Sequence, residues 1–265
     1  MTFFWSNFIP NPVLFELGWF KIYWYGLILA IAILVAYYLI RRGKTLAQQR
    51  DIDDLVLWLV LGGLFGARIY DAVVYWPVSS FNWLEFFSLW QRGLAIHGAI
   101  LGGAVTLLAW CLVNRKSFGQ LADQLVMVLP LAQAIGRWGN YFNQELFGAP
   151  TSWPWKIFIE PVNRPAEYLY SSYFHPLFLY ESLADLALFI VLYFSGKKFL
   201  RVGVSLSIYL FGYGVIRFVM EFWRLDQVAI YGGLRWPQWL SLILMLGVLI
   251  YWLVQLLLPK FKKNV

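Results

Sequence analysis

The sequence predicts an all-α polytopic membrane protein with about seven transmembrane helices, forming a single integral membrane domain over residues 1–265. Three observations predict it. Of the 265 residues, 61% are apolar and 13% are charged, about half the charge of an ordinary soluble domain. The apolar residues come in long continuous runs that do not alternate, which favours helices over barrel strands. Basic residues cluster after every second run, as they do in loops that stay in the cytoplasm. Such hydrophobicity excludes a disordered chain. Cys111 is the only cysteine, so neither a disulfide framework nor a cysteine metal site is expected.

Apolar runs lie at about 20–40, 54–76, 94–113, 120–140, 175–195, 203–222 and 236–258. Each can cross about 30 Å of hydrocarbon. The fourth holds Asp123, Gln124, Pro130, Gln133 and Arg137, so a buried helix kinked at Pro130 is expected there. Arg41, Arg42, Lys44 and Arg50 follow the first run, and Arg115 and Lys116 the third. Lys197, Lys198 and Arg201 follow the fifth, and Lys260, Lys262 and Lys263 the seventh. The intervening segments hold only Lys21, Arg92, Lys156, Arg164, Arg224 and Arg235. This bias puts the N-terminus outside and the C-terminus inside. It accounts for the net charge of +7, and no nucleic-acid partner is implied. Residues 1–19 carry no Lys or Arg, so the basic start of a cleavable signal peptide is not expected.

Two outer segments do more than connect. Residues 77–93, with Trp83, Phe86, Phe87 and Trp90, are read as an interfacial arm. Residues 141–174, with Pro150, Pro154, Pro161 and Pro165, cannot be one helix and are read as a small cap.

Three arginines fall inside runs: Arg68, Arg137 and Arg217. An arginine at membrane depth costs several kcal/mol unless it faces a wet or paired cavity, so each is a functional candidate. Counting about 1.5 Å per residue from the cytoplasmic basic clusters places Arg68, Arg217 and His97 in the outer half of the membrane. Arg137 ends an outward-running span; Tyr25, His175 and Glu181 begin inward-running ones. Sharing one depth suggests one cavity that opens outward. Tyr213, Arg217 and Glu221 are four apart, so they lie on one helix face, where Glu221 can neutralise Arg217. Arg68 and Asp71 could pair in the same way. Gly62, Gly63, Gly66, Gly98, Gly102 and Gly103 suit close helix packing.

The motifs are specific. Residues 136–148 read Gly-Arg-Trp-Gly-Asn-Tyr-Phe-Asn-Gln-Glu-Leu-Phe-Gly, and 212–224 read Gly-Tyr-Gly-Val-Ile-Arg-Phe-Val-Met-Glu-Phe-Trp-Arg. Residues 97–103 read His-Gly-Ala-Ile-Leu-Gly-Gly, 175–181 His-Pro-Leu-Phe-Leu-Tyr-Glu, and 24–26 Trp-Tyr-Gly. In order and spacing, over nearly the whole chain, they resemble the prolipoprotein diacylglyceryl transferase family. The family usually has His-Gly-Gly at 97–99 and often Ser-Gln at 177–178, where Leu177 and Phe178 stand; no role is carried to those two.

The resemblance implies a multi-pass protein of the bacterial cytoplasmic (inner) membrane with its active site toward the periplasm, the side on which the charge bias already puts the N-terminus and the cap. It implies transfer of the diacylglyceryl group of phosphatidylglycerol to the lipobox cysteine thiol of a preprolipoprotein. A thioether forms and glycerol phosphate leaves, the first step of lipoprotein maturation. The implied partners are phosphatidylglycerol, the preprolipoprotein signal peptide with its lipobox, and membrane lipids. No cofactor is implied. No metal site is expected, since His97 and His175 are the only histidines and no carboxylates stand at ligand spacing from them.

The residue types suit that chemistry. Arginine forks grip a phosphate by paired, permanently charged hydrogen bonds, and Arg137 and Arg217 are assigned to it. A thiol with pKa about 8.5 must lose its proton to attack, and a neutral imidazole can take it, so His97 is the expected base. These three are the expected catalytic residues. Substrate binding is assigned to Tyr25, Arg68, Gly98, Asn140, Asn143, Glu145, Gly148, Tyr213 and Glu221. For several of these a plainer role stays open. Arg68 could be a structural pair, Asn140, Asn143 and Glu145 a helix-end turn, Gly98 a packing glycine, and Tyr25 an interfacial tyrosine. Two rival classes remain. A lipid or solute transporter would place polar groups at the midplane and favour repeated halves. An assembly protein would tolerate charge-preserving changes.

Overall fold

In the computed structural model, residues 8–18, 20–42, 44–75, 95–195 and 201–257 are described. The expected interfacial arm at 77–93 and the basic residues Lys197, Lys198, Lys260, Lys262 and Lys263 lie outside them.

The chain is mostly helical. The helices are α1 (Trp24–Arg41), α2 (Leu46–Tyr75), α3 (Ile96–Val113), α4 (Phe118–Val126) and α5 (Leu129–Phe142). They continue with α6 (Leu177–Ser195), α7 (Val204–Met220) and α8 (Trp236–Leu257). By length and composition, α1, α3, α6, α7 with its extension to Trp223, and α8 can each cross a membrane. The bent pair α4–α5 makes a sixth candidate. The 30-residue α2 is not among these. Arg50, Asp51, Asp53 and Asp54 crowd its start, and Arg68 and Asp71 interrupt its apolar part.

Two expectations need correction. The kink expected at Pro130 is a 48° bend at the break between Val126 and Leu129. Pro130 itself sits in the first turn of α5, where its missing N–H costs nothing because first-turn donors have no intrahelical acceptor. The chain is also not purely helical, since the described residues include three two-stranded antiparallel sheets, one before α1 and two between helices. β1 (Val13–Leu17) pairs with β2 (Phe20–Tyr23), β3 (Ile157–Phe158) with β4 (Tyr173–Phe174), and β5 (Ile230–Tyr231) with β6 (Leu234–Arg235). The last turn runs through Gly232 and Gly233, both at positive φ (56° and 81°), as a tight two-residue hairpin requires.

The chain divides into two compact units, residues 1–36 with 123–265, and residues 37–122. The second unit is built on α2 against α3. Gly62, Gly66, Gly98 and Gly102 meet there. A Cβ on Gly66 would strike the carbonyl oxygen of Gly98 and stand 2.7 Å from the Cα of Gly102. A Cβ on Gly98 would strike the Gly66 carbonyl and Tyr70. The backbones therefore touch directly, as small-residue faces allow in lipid. The carboxylates at the start of α2 are each engaged. Asp53 accepts from Tyr37 Oη at 2.7 Å and Arg41 Nε at 2.9 Å. Asp54 accepts from Trp110 Nε1 at 2.6 Å, and Asp51 from Lys116 Nζ at 2.5 Å.

The first unit holds β1, β2, most of α1, the end of α4 from Asp123, α5–α8 and the cap. Its apolar centres are Phe147, Ile157, Ile159 and Phe174 of the cap packed with Tyr141 of α5 and Phe178 of α6, and Val126, Leu188, Leu192 and Tyr209 between helices. The start of α7 has no capping side chain of its own, since Gly203 stands at its N-cap. Asp123 of α4 supplies one, accepting the N–H of Gly203 at 2.6 Å and of Leu206 at 2.8 Å. A carboxylate there satisfies otherwise bare donors and opposes the helix dipole. Asp123→Ala is expected to cost about 1–2 kcal/mol of stability, the usual loss for a helix cap. An unchanged thermal midpoint in detergent would remove this role.

Candidate active site

The first unit gathers α5, α6 and α7 side by side, and short side-chain bonds set their register. Ser182 Oγ of α6 donates to the Ala134 carbonyl of α5 at 2.8 Å. Gln133 Nε2 of α5 donates to Tyr209 Oη of α7 at 3.0 Å. Tyr209 stacks on Tyr213, with ring centroids 5.8 Å apart. This register brings Arg137 of α5 and Arg217 of α7 to the same carboxylate on α6. Arg137 Nη2 lies 2.7 Å from Glu181 Oε2, and Arg217 Nη1 lies 3.8 Å from Glu181 Oε1. Asp185, one turn further along α6 and fully buried, lies 4.0 Å from Arg137 Nε.

The network extends through the 3-10 turn Glu221–Trp223 into the loop before β5. Arg217 Nη2 lies 2.8 Å from Glu221 Oε2, the pairing that the four-residue spacing predicts. Arg224 Nε lies 2.8 Å from Asp226 Oδ1, and Arg235 Nε lies 2.8 Å from Glu221 Oε1. Four guanidinium groups thus face four carboxylates. Glu221 is fully buried and Glu181 nearly so, which only such pairing makes affordable. Several contacts are close without being aligned. Glu181 Oε2, both oxygens of Glu221, Arg217 Nη1 and Arg235 Nε make no directed hydrogen bond. Charge more than hydrogen-bond direction therefore holds these pairs. Asp226, in the loop, sits below the ordinary carboxylate pKa. Burial opposes its ionisation, but the Arg224 hydrogen bond and the Arg224 and Arg235 charges outweigh it. A depressed carboxylate stabilises the fold above its ordinary pKa and ceases to as pH falls through the lowered value. This tie therefore loosens only in acid.

At the outer end of α5 the turn is unusual. Gln144 and Leu146 both have positive φ (51° and 54°), a conformation that costs about 1–3 kcal/mol at a non-glycine residue unless the surroundings impose it. Between them, the Glu145 carboxylate accepts from Asn140 Nδ2 at 2.9 Å and Asn143 Nδ2 at 3.3 Å. The buried Gln144 side chain accepts the Glu160 N–H at 2.7 Å, which fastens the cap to this turn. Gly148 donates its N–H to the His175 carbonyl at 3.0 Å. A Cβ there would stand 3.0 Å from His175 Cβ and 3.4 Å from the Trp223 carbonyl. His175 Nδ1 lies 3.0 Å from Tyr180 Oη, which also accepts from Trp155 Nε1 at 2.7 Å. Burial lowers the His175 pKa, so the ring is neutral at neutral pH and Nδ1 can accept the Tyr180 proton.

The structure therefore brings Arg137, Arg217 and Glu221 together, with Tyr213 one turn before Arg217 on α7. Tyr25 of α1 rests its ring on α5 at Gly139, where a Cβ would clash with it, and the neighbouring Trp24 stacks on Phe142 at 4.6 Å. Asn140, Asn143 and Glu145 form the helix-end turn that was one open reading of them. His97, Gly98 and Arg68 belong to the second unit. Gly98 has a full packing reason there, Arg68 is buried on α2, and the His97 ring lies 5.8 Å from that of Tyr70.

Sequence reasoning underrated five members of the network, Asp226 among them, which the sequence did not single out. Glu181 and Asp185 carried a usable signal, two carboxylates four apart in an apolar run, where ionisable groups are rarely idle. Glu181 looked instead like a helix-start residue. Arg224 closes the motif at 212–224 but was given a role only as a loop charge, and Arg235, also counted as a loop charge, has nothing in its local pattern that marks it out.

Comparisons with known proteins agree with one another. A sequence profile described as prolipoprotein diacylglyceryl transferase matches residues 12–254. A Synechocystis protein named phosphatidylglycerol--prolipoprotein diacylglyceryl transferase is 40% identical over 270 residues, covering 96% of this chain and 94% of its own. A protein of the same name from Nostoc is 43% identical, covering 88% of this chain and 85% of its own. Another, from Fervidobacterium nodosum, is 39% identical, with 90% and 83% covered.

Proposed function

The chain belongs to the prolipoprotein diacylglyceryl transferase family, and on that premise we propose that it moves the diacylglyceryl group of phosphatidylglycerol onto the lipobox cysteine thiol of a preprolipoprotein. The sulfur attacks the glyceryl carbon that bears the phosphate ester. The carbon–oxygen bond breaks, a thioether forms, and glycerol phosphate leaves with the bonding electrons. The thiol proton passes to a base. This is the first step of lipoprotein maturation.

One observation carries the reading: two arginines from neighbouring helices converge on a shared, buried Glu181. In an apolar protein of this composition, that arrangement suits one ligand class best, an anionic headgroup. A guanidinium has five donors, and the contacts to Glu181 and Glu221 do not exhaust either fork. The carboxylates hold the arginines charged, desolvated and aimed before substrate arrives. A preorganised site of this kind stabilises developing negative charge on the leaving phosphate. Tyr25, Tyr213 and the Asn140–Glu145 turn support a glyceryl and peptide subsite beside it, and the cap suits admission of the lipobox segment.

His97 is assigned as the base that takes the thiol proton, on its chemistry and on its place in the family motif. His97→Asn is expected to lose about 10²–10⁴ in rate at neutral pH, the range for general-base loss. It should partly recover as pH rises past the thiol pKa, about 8.5. An activity deficit that does not change with pH would exclude this role.

The membrane reading follows the charge bias. We place α2 across the membrane as a seventh span, its length of 30 residues giving about 45 Å. The N-terminus and cap are then periplasmic and the C-terminus cytoplasmic, in the bacterial inner membrane. The test of function is purified protein in phosphatidylglycerol micelles with a lipobox peptide. Glycerol phosphate release with a peptide mass gain of one diacylglyceryl unit is the expected result. Peptide recovered unmodified from active lipid mixtures would overturn it.

A further inference from the structure

The Glu221 carboxylate is fully buried and has two oxygens. Facing a single arginine, such a carboxylate settles across both ends of the fork, which is the strongest geometry open to it. Here it does not. Arg217 Nη2 lies 2.8 Å from Oε2, while Arg235 Nε lies 2.8 Å from Oε1. Arg217 Nη1 is left buried and without a hydrogen bond. Glu181 Oε1 stands 3.8 Å from it, beyond hydrogen-bond reach.

Arg235 itself is not available to a ligand in the same way. Its Nη1 donates to the Arg224 carbonyl and its Nη2 to the Asp226 carbonyl, both at 2.5 Å. These bonds spend its fork on the backbone of the loop. Only its Nε faces the site, and that nitrogen faces Glu221. It comes from β6, at the opposite end of the loop from Arg224, so the loop's closure delivers it there.

We propose that Arg235 is a positioning residue: by claiming one oxygen of Glu221 it prevents a two-toothed Glu221–Arg217 pair and keeps the buried Arg217 Nη1 uncommitted to an internal carboxylate, so that the fork can turn it to a phosphate oxygen of the lipid headgroup. The inference rests on the phosphate-clamp reading of Arg217. Losing Arg235 frees Glu221 to close over Arg217, so the lipid must then compete with an internal carboxylate. Affinity for phosphatidylglycerol falls, while the peptide subsite is untouched.

The experiment measures initial rates in mixed micelles, varying phosphatidylglycerol and lipobox peptide separately. Arg235→Gln is expected to raise KM for phosphatidylglycerol about tenfold and KM for peptide less than about threefold, the signature of lost binding at one subsite. Adding Glu221→Gln should bring the lipid KM back to within about threefold of the Glu221→Gln single variant, because a neutral amide does not compete for the fork. Arg235→Lys keeps a charge beside Glu221 but loses both loop bonds, so its lipid KM should stay within about threefold of wild type. If Arg235 merely ties the loop, Arg235→Lys will behave like Arg235→Gln and Glu221→Gln will not rescue. Either outcome overturns the inference. Should Arg235→Gln fail to accumulate folded, Arg235→Lys alone decides, and a lipid KM raised tenfold counts against the idea. Arg217→Lys is run alongside. If it too leaves catalysis intact, the clamp reading has failed; if it is inactive while Arg235→Gln is normal, only the present inference has.

Discussion

Arg137→Lys and Arg217→Lys are each expected to lower turnover with phosphatidylglycerol by about 10²–10³, the cost of removing one preorganised charged donor, while the protein stays folded. The structure explains why the two effects separate. A lysine at 137 can still set its ammonium against Glu181, now reached by Arg137 Nη2 at 2.7 Å, so no buried carboxylate is abandoned. A lysine at 217 can likewise still answer Glu221, now 2.8 Å from Arg217 Nη2. What is lost is the rest of the fork, because an ammonium is a point charge and cannot hold a carboxylate on one edge and a phosphate on the other. The check is glycerol phosphate release at saturating peptide, beside a thermal midpoint in detergent. Near-normal rates in both variants would end the phosphate-clamp role. A collapse of the midpoint in both would show that the forks serve folding. Alanine is a poorer test, since it leaves Glu181 or Glu221 buried and unanswered, which costs about 3–5 kcal/mol on its own.

Gly66→Leu is expected to prevent accumulation of folded protein, and the cause is backbone geometry. Its Cβ would strike the carbonyl oxygen of Gly98 and lie 2.7 Å from the Cα of Gly102. Neither is the tip of a flexible side chain, so α2 and α3 must move apart along their whole contact. Overpacking of a rigid interface costs typically 1–3 kcal/mol and more where backbone must shift, a large part of the stability of most domains. Gly103 is the control. It lies on the same helix as Gly98 and Gly102, yet a Cβ there meets nothing within 4 Å. Gly103→Ala should accumulate normally. Equal yields for Gly66→Leu and Gly103→Ala in membrane fractions would refute direct backbone contact between these helices.

The sequence and the structure divide the site unevenly. Arg137 and Arg217 stood out because an ionisable residue within an apolar run is costly and so has a purpose. Glu221 stood out because its four-residue spacing from Arg217 is a property of any helix. Asp185 carried the same signal as the two arginines and was passed over, whereas Arg235 gave none, since its partner Glu221 belongs to another element of the chain. The strand pairs were also missed. β3–β4 and β5–β6 are two residues each, too short for an alternating pattern to register. The break in the fourth span was expected at its proline, but Pro130 instead begins the second helix, because a proline fits a helix start better than a helix interior.

Hydropathy, charge bias and motif spacing by themselves determined a helical membrane protein, its family and the two arginines at its candidate centre, since each depends on composition or on contacts within one turn of helix. Which carboxylates balance those arginines, which glycines touch, and how a distant loop residue comes to share Glu221 were decided only when α5, α6 and α7 packed against one another and α2 against α3. Long-range pairing is fixed by the register between elements, and no local pattern of residues encodes that register.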